Sequence, residues 1–177
     1  MPKVKKMNSN EQLIEKAYQL AYKYEAERGS CPQCVLAALK ETLDVGDEAT
    51  IQAADALAGG TSLSTQGTCG ALVGGLLALS SLVGRDYESF SKGDSKRRVF
   101  TLSKKLYDRF VKEYGSPVCC EVHKKLFGRT FDFLDAKEYQ EFEQAGGHID
   151  KCPSVSGNVA KWTAELILKE KKFKNKK

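Results

Sequence analysis

At 177 residues the chain has room for one domain with its own core, and 41% hydrophobic with 29% charged residues excludes a mainly disordered or fibrous protein. The net charge of +5 belongs to the ends: Lys3, Lys5, Lys6 and the lysine-rich stretch 169–177 outweigh residues 7–168, which carry −3. A mildly acidic body argues against specific nucleic-acid binding, so 1–9 and 170–177 read as flexible basic segments flanking a helical domain at 10–169.

In chain order, apolar residues recur at helical spacing over 10–28 (Leu13, Ile14, Ala17, Leu20, Ala21, Tyr24), and Gly29 supplies the stop. Ser30 is expected to cap a second helix: Pro32 stands in its first turn, Gln33 completes a capping-box pattern, and Gly46 ends it. A shorter helix at 47–57 is closed by Gly59-Gly60, and a loop at 61–68 leads into the most apolar stretch, 69–83. That stretch falls short of the roughly 20 residues a bilayer needs, so no transmembrane segment is expected. It reads instead as a central buried helix, with Gly70 and Gly74 letting a neighbouring helix come close.

A charged connection then precedes a helix starting at 94 or 95, with Val99, Leu102, Leu106, Phe110 and Val111 inward and Gly115 at its end. Ser116-Pro117 restart the chain as a short helix to 127, and residues 128–134 are irregular. Residues 135–145 read as an exposed helix broken by Gly146-Gly147, and the last helix spans 153 to about 169. No run alternates with period two long enough for a sheet. The predicted fold class is therefore all-α: a single-domain bundle of seven or eight helices around one central buried apolar helix.

The lysines near the start run into polar Asn8-Ser9-Asn10-Glu11-Gln12, which predicts no secretory leader and a cytoplasmic protein. In that compartment six cysteines point to redox chemistry, catalysis or metal ligation in preference to permanent disulfides. All six fall at predicted helix starts: Cys31 and Cys34 after Ser30, Cys69 opening the apolar helix, Cys119 and Cys120 after Pro117, and Cys152 before Pro153. Unpaired N–H groups and the positive end of the helix dipole favour a thiolate there, so thiol pKa values below the ordinary range are expected.

Cys31-Pro32-Gln33-Cys34 is a CxxC in the first turn of a helix, the arrangement in which one thiol attacks and the other resolves a mixed disulfide. Cys34 also fits a plain packing role beside Val35. His123 shares a helical face with Cys119 and Cys120, as a ligand or base or as an exposed histidine among lysines; His148 sits in a Gly-Gly loop ahead of Cys152.

Cys69-Gly70-Ala71-Leu72-Val73-Gly74 reads CGAxxG, and with it the chain resembles the C_GCAxxG_C_C family, regarded as redox-active. The resemblance extends over about 10–168: Cys31 opening a helix, Gly59-Gly60 ahead of CGAxxG, Gly-Ser-x-x-Cys at 115–119, and Cys152 before the last helix. It implies Cys31, Cys69, Cys119 and Cys152 as the working set, with Cys34 and Cys120 as additions.

Three readings of these thiols stand. The first is thiol–disulfide exchange or electron transfer with a partner protein or small thiol. The second is an iron–sulfur cluster or zinc held by Cys31, Cys69, Cys119 or Cys120, and Cys152, with His123 as a further ligand. The third is a non-catalytic interaction protein whose cysteines merely pack.

Overall fold

A computed structural model describes residues 8–95 and 97–174; the basic segment 1–7 and the last three lysine-rich positions lie outside them. Helix α1 (Ser9–Arg28) starts at a reciprocal cap: Asn8 Oδ1 accepts from Glu11 N at 3.0 Å, and Glu11 Oε2 accepts from Asn8 N at 2.8 Å. Ala17, Ala21 and Tyr24 form its buried stripe, and it packs along α9 (Cys152–Lys174) and α2 (Cys31–Leu43). The expected Ser30 capping box does not form. Ser30 adopts a left-handed backbone (φ 61°) and donates to Asp55 Oδ1 at 3.2 Å, while Gln33 donates to the Ile51 carbonyl. Helix α2 also ends before Gly46, with Asp44 taking the left-handed C-cap conformation.

Helix α3 (Glu48–Ala53) is capped by Asp47, and the chain tightens into a 3₁₀ turn at Asp55–Leu57. Helix α4 (Gly70–Val83) is the central apolar helix, with α2 on one side and α6 (Arg97–Tyr114) and α9 on the other. Its glycines set these distances. A Cβ on Gly74 would lie 2.6 Å from the Pro32 carbonyl oxygen, and one on Gly75 would lie 2.7 Å from Leu106 Cδ2 and 2.8 Å from Thr163 Oγ1.

The charged connection after α4 contains a short helix, α5 (Tyr87–Ser91), started by an Asp86 cap that a charge-rich sequence concealed. Helix α6 buries Leu102, Leu106, Phe110 and Tyr114, a strict four-residue repeat. Helix α7 is Cys119–Phe127 and α8 is Ala136–Gln144. α8 is not simply exposed: Phe142 is fully buried, because its ring fills the space beside Gly147. A single π turn, Gly147–Lys151, joins α8 to α9, which continues to Lys174 beyond the expected end near 169. The described residues thus form nine α-helices and no strand, only one isolated bridge between Thr68 and Val118. No described helix is long and apolar enough to cross a membrane.

The α2–α4 contact leaves no room for a methyl group at Gly74. Gly74→Ala should lower the thermal midpoint by roughly 2–10 °C, since overpacking costs about 1–3 kcal/mol. An unchanged midpoint in a circular-dichroism melt would show that the two helices are not in close contact.

Candidate functional site

Four helices begin at one cavity. Cys31 is the first residue of α2, Cys69 the N-cap of α4, Cys119 the first residue of α7 and Cys152 the first of α9, and all four line a cavity of about 240 Å³. The six cysteines are free thiols. Cys31 sits on α4 itself: its Sγ lies 2.5 Å from where a Gly70 Cβ would be, so only glycine fits beside Cys69.

Cys119 is held by the loop that follows the 3₁₀ turn. Gly59, Gly60, Thr61, Ser62, Leu63 and Thr65 all take positive φ, between 50° and 72°. This left-handed course turns the carbonyls of Thr65 and Gly67 toward α7, where they accept from Cys120 N at 2.8 Å and Cys119 N at 2.9 Å. Cys69 N in turn donates to the Pro117 carbonyl at 2.8 Å, tying the start of α4 to the start of α7. A Cβ on Gly60 would collide with Cys119 Cβ at 2.7 Å, so this glycine is required both for its φ of 72° and for the approach.

Cys34 and Cys120 do not line the cavity. Cys34 Sγ donates to the Gly29 carbonyl at 2.8 Å, so the second thiol of the CxxC points back along the chain. Cys120 Sγ faces Glu121 Oε1 at 3.8 Å. Neighbouring residues on a helix diverge by about 100°, and here Cys119 takes the cavity side.

His123 is not an exposed histidine among lysines. It is 2% exposed and lines the cavity, with its ring 5.3–6.1 Å from those of Phe127, Phe131, Phe133 and Phe142. Its Nε2 lies 3.8 Å from Cys119 Sγ, and Nδ1 has no hydrogen-bond partner among the described residues. Burial drives its pKa from 6.5 to about 4, so the ring is neutral near pH 7.

Two residues missed or undervalued in the sequence complete the site. Glu25 is 2% exposed, on the face of α1 toward the cavity. Ser156 Oγ donates to Glu25 Oε2 at 3.2 Å, and His148 Nε2 lies 3.9 Å from Glu25 Oε1. His148 Nδ1 meets Glu143 Oε1 at 2.5 Å. An acidic residue in the last turns of an amphipathic helix reads as solvated, and only the packing of α9 and the π turn encloses it.

The electrostatics reverse one expectation. Helix starts were expected to lower the thiol pKa values, yet burial pushes Cys31 and Cys152 well above the ordinary range and raises Cys69 and Cys119 strongly. Glu25 adds to this at all four, ranking next after burial at Cys31 and Cys152, and the thiols raise one another. The backbone N–H groups of Ala71 and Leu72 do pull Cys69 down, in the direction the dipole argument requires, and are outweighed by burial. Cys31 and Cys152 as residues keep partial exposure while their sulfurs are surrounded by protein.

Among the described residues, no group of three or more histidine, cysteine, aspartate or glutamate side chains is arranged to hold a metal ion.

An all-helical domain with four cysteines from four helix starts on one buried cavity defines the class: a helical protein with a convergent four-thiol centre. The chain belongs to the C_GCAxxG_C_C family, described as "Putative redox-active protein (C_GCAxxG_C_C)", whose sequence model matches residues 29–166 and so includes all four cysteines. No curated protein and no solved structure matches the chain.

A raised pKa leaves little thiolate at neutral pH. Alkylation of the cavity thiols by iodoacetamide should therefore be slow at pH 7 and keep rising beyond the ordinary thiol range near about 8.5. A rate that levels off near pH 7 would mean the helix starts outweigh burial.

Proposed function

We propose that this protein is a thiol–disulfide redox protein whose working group is the set Cys31, Cys69, Cys119 and Cys152 acting through their shared cavity. The observation that carries the reading is that these four sulfur-bearing residues, widely spaced in sequence, line one cavity.

The reaction is a two-electron exchange. The Cys31 thiolate attacks a disulfide of a partner protein or small molecule, forming a mixed disulfide and releasing one thiolate. A second cavity thiolate then attacks Cys31 Sγ, closing an internal disulfide and releasing the second thiolate. One incoming disulfide leaves as two thiols, and the protein dithiol becomes a disulfide. Cys31 is the entry thiol because it opens α2 on the cavity, and Cys69 is its resolving partner across Gly70. Cys34, bound to the Gly29 carbonyl, has no part in closure.

Reduced protein, prepared without oxygen and treated with bis(2-hydroxyethyl) disulfide, should lose two of its thiols per chain and recover them with dithiothreitol. Cys31→Ser should abolish the loss, and Cys34→Ser should leave it intact. Loss that survives Cys31→Ser, or stoichiometric iron with visible absorption in the isolated protein, would overturn the exchange reading.

A further inference from the structure

Closing a disulfide in the cavity requires that protons leave thiols whose sulfurs are surrounded by protein. We infer that Glu25, His148 and Glu143 form a proton relay from the thiol cavity to the surface, a role that rests on the exchange reaction proposed above. The relay is assembled from groups on and beside the cavity wall. Glu25 and His148 line the cavity alongside Cys31 and Cys152. His148 Nε2 lies 3.9 Å from Glu25 Oε1, and its Nδ1 meets Glu143 Oε1 at 2.5 Å. The side chains grade outward: Glu25 is 3% exposed, His148 23% and Glu143 35%.

The scaffold holds the relay from both ends. Ser156 on α9 donates to Glu25, and Tyr22 on α1 donates to the Ile149 carbonyl at 3.0 Å, anchoring the π turn that carries His148. The Tyr139 ring on α8 lies beside the imidazole, with centroids 6.5 Å apart. A carboxylate this deeply buried is costly and needs a reason.

The titratable and charged groups around Glu25 come from every element packed on it. From α2 these are Cys31 and Cys34, from α4 Cys69, and from α7 Cys119. The π turn contributes His148 and α9 contributes Cys152, while Arg28 on α1 also lines the cavity. Burial raises the Glu25 carboxyl, and His148, Cys34 and Ser156 pull it back.

Proton balance follows. Each cavity thiol that becomes a nucleophile passes its proton to the Glu25 carboxylate, and His148 hands it through Glu143 to water. The two thiolates leaving the incoming disulfide take up two protons from solvent. Reduction of the internal disulfide runs the same path inward.

The test measures the oxidation rate of the reduced protein by bis(2-hydroxyethyl) disulfide from about pH 6 to 9 for wild type, Glu25→Gln, His148→Asn and Glu143→Gln. Glu25→Gln and His148→Asn should be slower by roughly tenfold or more with altered pH profiles, since positioned proton transfer typically contributes a hundredfold or more. Both should reach the wild-type thiol endpoint. Glu143→Gln, near the surface and least able to disturb folding, should show a smaller loss, and formate should restore part of the rate of Glu25→Ala. Wild-type rates and profiles in Glu25→Gln and His148→Asn, or no formate rescue, would overturn the relay and leave the exchange reaction standing. Failure of the wild type to form any disulfide would overturn both.

Discussion

The site depends on one steric constraint: the Cys31 sulfur occupies the volume that a side chain at position 70 would need. Because Gly70 follows Cys69 directly, this contact sets two family cysteines on facing helix starts, and Gly74 one turn later lets the Pro32 backbone settle against α4. The CGAxxG motif is therefore a packing device as well as a source of sulfur. Its two glycines bring α2 and α4 together, and the cysteine opens the helix at the contact.

Bringing in the third thiol carries an energetic cost. Thr61, Ser62, Leu63 and Thr65 all adopt left-handed backbone, each disfavoured by about 1–2 kcal/mol for a residue with a side chain. Hydrogen bonds from Thr65 N to the Gly59 carbonyl and from Gly67 N to the Gly60 carbonyl fix the loop, and those from Cys119 N and Cys120 N join it to α7. Strain of this kind persists where surrounding structure over-determines it, and here it delivers the start of α7 to the cavity. Burial has a second consequence. Four mutually raising thiols and one buried carboxylate keep the centre protonated at rest, so its chemistry is tied to proton movement.

The helical class was legible from periodicity because apolar residues such as Leu102, Leu106 and Phe110 repeat with the helix turn, and a predominantly local pattern survives folding. The placement of Cys31, Cys69, Cys119 and Cys152 at helix starts was legible for the same reason. What pattern could not carry was anything decided between elements. Glu25 looks like an ordinary charge on α1 until α9 and the π turn cover it, and His123 looks solvated beside its lysines until four phenylalanine rings enclose it. The thiol pKa direction failed likewise: the dipole is a local effect and the desolvation that exceeds it is tertiary. One signal was available for His123, the density of phenylalanines at 127, 131, 133 and 142 around it in sequence.

The central claim, that thiols distant along the chain share one pocket, is tested most directly with phenylarsine oxide, whose single arsenic bridges two nearby thiols. The reduced protein should bind one arsenic per chain, and mapping of the protected cysteines should find the bridge between two of Cys31, Cys69, Cys119 and Cys152. A bridge confined to Cys31 and Cys34, or no protection from alkylation at the other three, would contradict the account.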